Sequence, residues 1–136
     1  MSKCFLLINC IAGLILGATL YLLFDNTTIV TKVIYELLDI DKPIITINND
    51  LFQFVRAYVI DLLWAYSMWF GILLCSFGFE RKAIIASIIT VLFGGLVEVM
   101  QYIRLFRGTA DFIDILFELV GVIIAGFVYL IYRMKD

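Results

Sequence analysis

Apolar residues run along this chain in four long blocks, separated by short polar breaks. Residues 5–24 carry no charge. At ~1.5 Å per residue, such a run is long enough to cross a ~30 Å hydrocarbon core. Lys3 precedes it, as in a secretory leader, but the apolar core is too long and no small-x-small cleavage site follows. The block therefore predicts a retained transmembrane helix. The second block covers residues 51–77 and carries Arg56 and Asp61 in its first half. A tight polar turn, GFERK (78–82), leads to the third block, 83–103; the fourth is 112–132, followed by Arg133 and Lys135.

The long connection between the first two blocks has a different rhythm. Ile29, Val30, Val33, Ile34, Leu37 and Leu38 fall on one helical face, with Lys32, Glu36 and Asp39 off it. A helix over 28–39 is too short to span, so it is expected in the interface plane or folded over the bundle as a lid. Pro43 ends it, an extended stretch follows, and Asn48, Asn49 and Asp50 are N-cap candidates for the next helix. The pattern predicts an all-α, polytopic membrane protein. It forms a single domain over 1–136, with four transmembrane helices and one short interfacial amphipathic helix.

Composition fits that reading. Of 136 residues, 64% are hydrophobic, and the mean hydropathy is +1.08. A soluble domain of this size cannot bury so much apolar surface, so lipid is the solvent. The net charge is −2, with no basic stripe and no nucleic-acid-binding signature, so no nucleic acid is expected as a partner. There is no histidine. That removes the commonest general base and metal ligand and argues against a zinc or haem site. Cys4, Cys10 and Cys75 are odd in number and scattered in apolar surroundings, and read as small hydrophobes. Gly13 and Gly17 form a GxxxG, which permits close helix approach. Tyr58, Trp64, Tyr66 and Trp69 are expected to pack and to anchor at the interface.

Charge is concentrated in EVMQYIRLFRGTADFIDILFE, residues 98–118. With four crossings, the start of the second span, the end of the third and the start of the fourth lie at one membrane face. Arg56, Asp61, Glu98, Gln101, Asp111, Asp114 and Glu118 then sit at a similar depth. Asp111, Asp114 and Glu118 are spaced i, i+3, i+7 and share a helix side, as do Glu98 and Gln101. Arg56 and Asp61, five apart, do not point at one spot. A charge at mid-bilayer costs about 2.5–3.5 kcal/mol. Asp61, Glu98, Asp111, Asp114 and Glu118 outnumber Arg56, Arg104 and Arg107, so pairing alone leaves a surplus of acid. Glu98 is the candidate general acid, and Asp111 or Asp114 the candidate base or nucleophile. Arg56, Asp61, Gln101, Arg107 and Glu118 are candidate substrate-binding groups, with Arg107 suited to gripping phosphate or carboxylate. Such acids can also hold Mg²⁺ or Ca²⁺ through oxygen.

Basic residues divide evenly between the two faces: Lys3, Arg81, Lys82, Arg133 and Lys135 against Lys32, Lys42, Arg56, Arg104 and Arg107. Setting aside the arginines of the third loop as functional tips the positive-inside rule towards both termini in the cytoplasm.

The signature Glu98-x-x-Gln101, then Arg107, then Asp111-x-x-Asp114 and Gly121 resembles the VanZ-like family of small membrane proteins. RAYVIDLLWAY, with Arg56, Asp61 and Trp64, resembles the D-x-L-W helix of a related uncharacterised membrane family. The resemblance spans Arg56 to Gly126 and departs at Glu118, where many VanZ-like proteins carry asparagine. It implies a bacterial envelope role, linked in that family to resistance to teicoplanin-type glycopeptides. Two functions follow as expectations. One is an intramembrane protein that binds or modifies a lipid-linked or phosphate-bearing envelope component at the outer leaflet. The other is a non-catalytic membrane module, an assembly partner or regulator, whose buried charges are helix–helix pairs.

Overall fold

The structure is a computed structural model that describes residues 2–24, 29–37, 39, 45, 50–76, 81–105 and 111–135. Every regular element among them is an α-helix: α1 (Lys3–Phe24), α2 (Ile29–Leu37), α3 (Asp50–Cys75), α4 (Lys82–Tyr102) and α5 (Phe112–Lys135). Four of them, all but α2, are long and apolar enough to cross a membrane. The expected bounds agree to within three residues, because long unbroken apolar runs leave little choice of where a span can lie. In α3 the apolar stretch is Ala57–Cys75, so Arg56 falls at its edge and Asp61 about one turn inside. Pro43, Asn48 and Asn49 lie outside the described residues, and Asp50 is the first residue of α3.

Helix α3 is the centre of the bundle, packing on α1, α4 and α5; α4 also packs on α5. Ring contacts fix the directions. Phe5 meets Phe70, and Phe24 meets Phe52, so α1 and α3 are antiparallel. Tyr58 stacks on Phe117 and Trp69 meets Tyr129, so α3 and α5 run the same way. Phe5 stacks on Tyr132, which brings both ends of the chain to one end of the bundle.

Small residues set the close approaches. A Cβ at Gly121 would strike the Leu62 carbonyl and come within 3.2 Å of Ala65 Cβ, so α5 crosses α3 backbone to backbone there. Gly13 likewise presses α1 onto α3, beneath Ser67 and 3.1 Å from the Leu63 carbonyl by the same measure. Gly17 has open space instead. The GxxxG is therefore half used, and used inside the chain. Around these crossings Ala65, Phe70, Ala86 and Ala125 are fully buried, with Trp69 and Leu73 beside them. Most polar side chains named in this half find partners, Ser67 Oγ being the exception. The Trp69 indole N–H donates to Ser87 Oγ at 2.9 Å, and the Tyr66 hydroxyl donates to Asn9 Oδ1.

Helix α2 lies against the end of α1. Tyr35 is buried, and its hydroxyl donates to the Leu22 carbonyl. Val33 and Leu37 of the apolar face stay exposed, which is compatible with the expected interfacial helix. The Ile45 N–H donates to the Leu23 carbonyl, tying the long connection back to the same helix end.

Candidate functional site

The site is built where α3 begins, α4 ends and α5 begins. Helix α4 closes in a Schellman arrangement: the Leu105 N–H bonds the Met100 carbonyl and the Arg104 N–H bonds the Gln101 carbonyl. Arg104 holds the left-handed position, with φ 61°, where glycine is usual. A residue with a Cβ costs about 1–2 kcal/mol there. The arginine side chain is exposed.

Asp111 caps α5 from outside. Its Oδ1 accepts the Ile113 N–H at 3.0 Å, the bond expected of an N-cap aspartate. Its Oδ2 accepts the Tyr58 hydroxyl at 2.9 Å, and its own N–H donates to Glu98 Oε2 at 2.8 Å. Three helices therefore meet on one residue. Glu98, buried in the last turns of α4, faces the positive end of the α5 dipole, where a carboxylate is favoured. Tyr58, expected only to pack, is a polar member of the site. Its position three residues before Asp61, on the same side of α3, was the available signal.

Below this junction lie the remaining acids. Asp61 on α3 shares its electrostatic surroundings with Asp114, Glu118 and Glu98. Glu118, one turn beyond Asp114, is buried and in range of both Glu98 and Asp114. Its carboxylate lies on the bare backbone of Gly94, where a single methyl would overlap it. Neither sequence pattern nor family resemblance pointed to Gly94. Glu118 Oε2 and Gln101 Oε1 are buried with no hydrogen-bond partner. The charges in range of Asp61, Asp114 and Glu118 among the described side chains are other carboxylates.

Of the residues singled out from sequence, Asp61, Glu98, Gln101, Asp111, Asp114 and Glu118 thus gather at one end of the bundle. The Arg56 side chain and the whole of Arg107 lie outside the described residues. Among the described residues no three acidic or cysteine side chains converge tightly enough to hold a metal ion, so the Mg²⁺ or Ca²⁺ option gains no support from the geometry. What the described groups offer is a set of hydrogen-bond acceptors, Glu98 and Glu118 buried among them, with two acceptor atoms unused. The chain matches no protein-family model, no curated protein and no solved structure.

Proposed function

We propose that this chain is a VanZ-like integral membrane protein of the bacterial envelope, whose acidic site binds the polar head of a lipid-linked envelope component at the outer leaflet. The observation that carries this reading is the pair of buried, unused acceptors, Glu118 Oε2 and Gln101 Oε1, amid carboxylates whose charged neighbours are other carboxylates. A buried acceptor left unmade costs about 1–3 kcal/mol. A ligand rich in donors, such as the hydroxyls or ammonium of a head group, recovers that cost. Arg56 and Arg107 are the candidates for a phosphate in the same head. Glu98 and Asp111 already hold the start of α5 in place. Asp114, with Asp61 and Glu118, is then better free to exchange a proton with a ligand. Basic residues divide evenly between the two ends of the bundle, and it is only with the third-loop arginines set aside for ligand binding that the balance favours cytoplasmic termini.

The test separates charge from shape. Asp114→Asn and Glu118→Gln keep the fold and the membrane abundance, and abolish the change in teicoplanin susceptibility or in lipid-linked precursor levels that the intact chain confers on an expressing host. A second reading draws on the Tyr58–Asp111 and Asp111–Glu98 bonds, which join three helices as polar glue does. On that reading the protein is a non-catalytic assembly partner. The same substitutions then lower abundance, or leave the phenotype intact.

A further inference from the structure

The acids of the site are set at graded distances along their helices. Asp61 lies about 6 Å inside the apolar stretch of α3, counted from Ala57, and Glu98 about 6 Å inside α4, counted from Tyr102. Asp114 lies about 3 Å and Glu118 about 9 Å along α5, counted from Phe112. Among the described side chains, the charges in range of Asp61, Asp114 and Glu118 are one another, Glu98 and Asp111. Glu118, the farthest along its helix, is only 9% exposed, and its Oε2 is buried without a donor. That carboxylate rests on the bare backbone of Gly94, one turn deeper than Glu98 on the same side of α4.

We propose that the deep end of this site takes a primary ammonium group, held by Glu118 with Asp61 and Glu98. The proposal rests on the ligand-binding reading above and narrows it to one chemistry. An ammonium carries the charge opposite to the one these side chains share. It also brings three N–H donors and no acceptor, so it serves Glu118 Oε2 without adding an oxygen that needs a donor of its own. A phosphate does neither, since its oxygens are acceptors and its charge has the same sign as the carboxylates. A hydroxyl supplies one donor and no charge. A divalent metal needs its oxygens at about 2.0–2.6 Å, and among the described residues no three acids converge tightly enough for one. An ammonium is less exacting, because its N–H···O bonds span about 2.7–3.2 Å. Ionised groups persist within a bilayer where they pair, so acid and ammonium make each other tolerable at this depth.

The experiment titrates the full chain in phosphatidylcholine nanodiscs, by calorimetry with empty discs subtracted, using dodecyl compounds that differ in the head alone. Dodecylammonium is expected to bind about tenfold tighter than dodecanol, and about tenfold tighter than dodecyltrimethylammonium, which has the charge but no N–H. Dodecyl phosphate should show nothing beyond the empty discs. Glu118→Gln keeps the shape that rests on Gly94 and should cut dodecylammonium binding about tenfold with the melting transition in place. Asp61→Asn, on a different helix, should cut it several-fold. Ethylammonium identifies the source. Binding close to that of dodecylammonium assigns the group to a soluble amine, and much weaker binding assigns it to an amphiphile. Equal binding of dodecylammonium and dodecanol to the intact chain overturns the proposal whether or not either variant folds, as does tighter binding of dodecyl phosphate. Unchanged dodecylammonium affinity in a folded Glu118→Gln overturns it too. Ammonium selectivity together with an untouched Glu118→Gln phenotype upholds the proposal and overturns the envelope reading alone. Loss of that phenotype with no preference among the heads does the reverse.

Discussion

The two halves of this bundle solve the same packing problem with opposite chemistry. Towards the chain ends, Trp69, Phe70, Leu73, Ala86, Ala125 and Tyr129 interlock, and the polar atoms of Trp69, Ser87, Asn9 and Tyr66 are paired. Towards the other end, Asp61, Glu98, Asp114 and Glu118 crowd one another, and two buried oxygens have no partner. Ser67 Oγ, wedged under Gly13 at mid-height, is the exception in the well-packed half. A sequence selected for stability alone would repeat the first solution at both ends. The second departs from local consistency in the way that functional sites do.

Four substitutions sharpen the contrast. The largest effect is expected from Trp69→Ala in the packed half. It removes a side chain that is 1% exposed, and should cost about 3–5 kcal/mol, read as a collapse of the melting transition in detergent. Tyr58→Phe at the acidic end removes the hydroxyl that Asp111 accepts. A hydrogen bond to a charged group is worth about 1.5–3 kcal/mol, and the loss should appear as faster exchange of the amides in the first turn of α5. Gly94→Val should cost about 1–3 kcal/mol through overlap with Glu118, and much of that should return in the Gly94→Val, Glu118→Ala double variant. Additive costs in that cycle would mean the two positions do not meet. The smallest effect has the opposite sign. Arg104→Gly relieves a left-handed backbone and should stabilise by about 0.5–1 kcal/mol, with no loss at the site.

The spans were readable from sequence because hydrocarbon thickness leaves a chain few ways to place an uncharged run. The gathering of Asp61, Glu98, Asp114 and Glu118 was readable too, since crossing number and helical spacing fix depth and side. Asp111 was placed on the helical face with Asp114. Instead it sits just outside α5 as its cap, a one-residue difference that decides whether a carboxylate serves the backbone or a ligand. Gly94 was not legible, because its role is set by Glu118, 24 positions away on another helix. The gap between α1 and α4 was equally hidden, because hydropathy carries no information about which apolar helices stand apart.

The central place of α3 also bears on how the protein is made. The α1 residues Asn9 and Gly13 meet their counterparts only once α3 has been synthesised, and Asp111, which joins α3 to α4, arrives just ahead of the last helix. A nascent chain halted before residue 111 would hold Asp61 and Glu98 in lipid with that junction missing. The Tyr58–Asp111 and Asp111–Glu98 bonds therefore form last, and the final helix closes the polar end of the bundle.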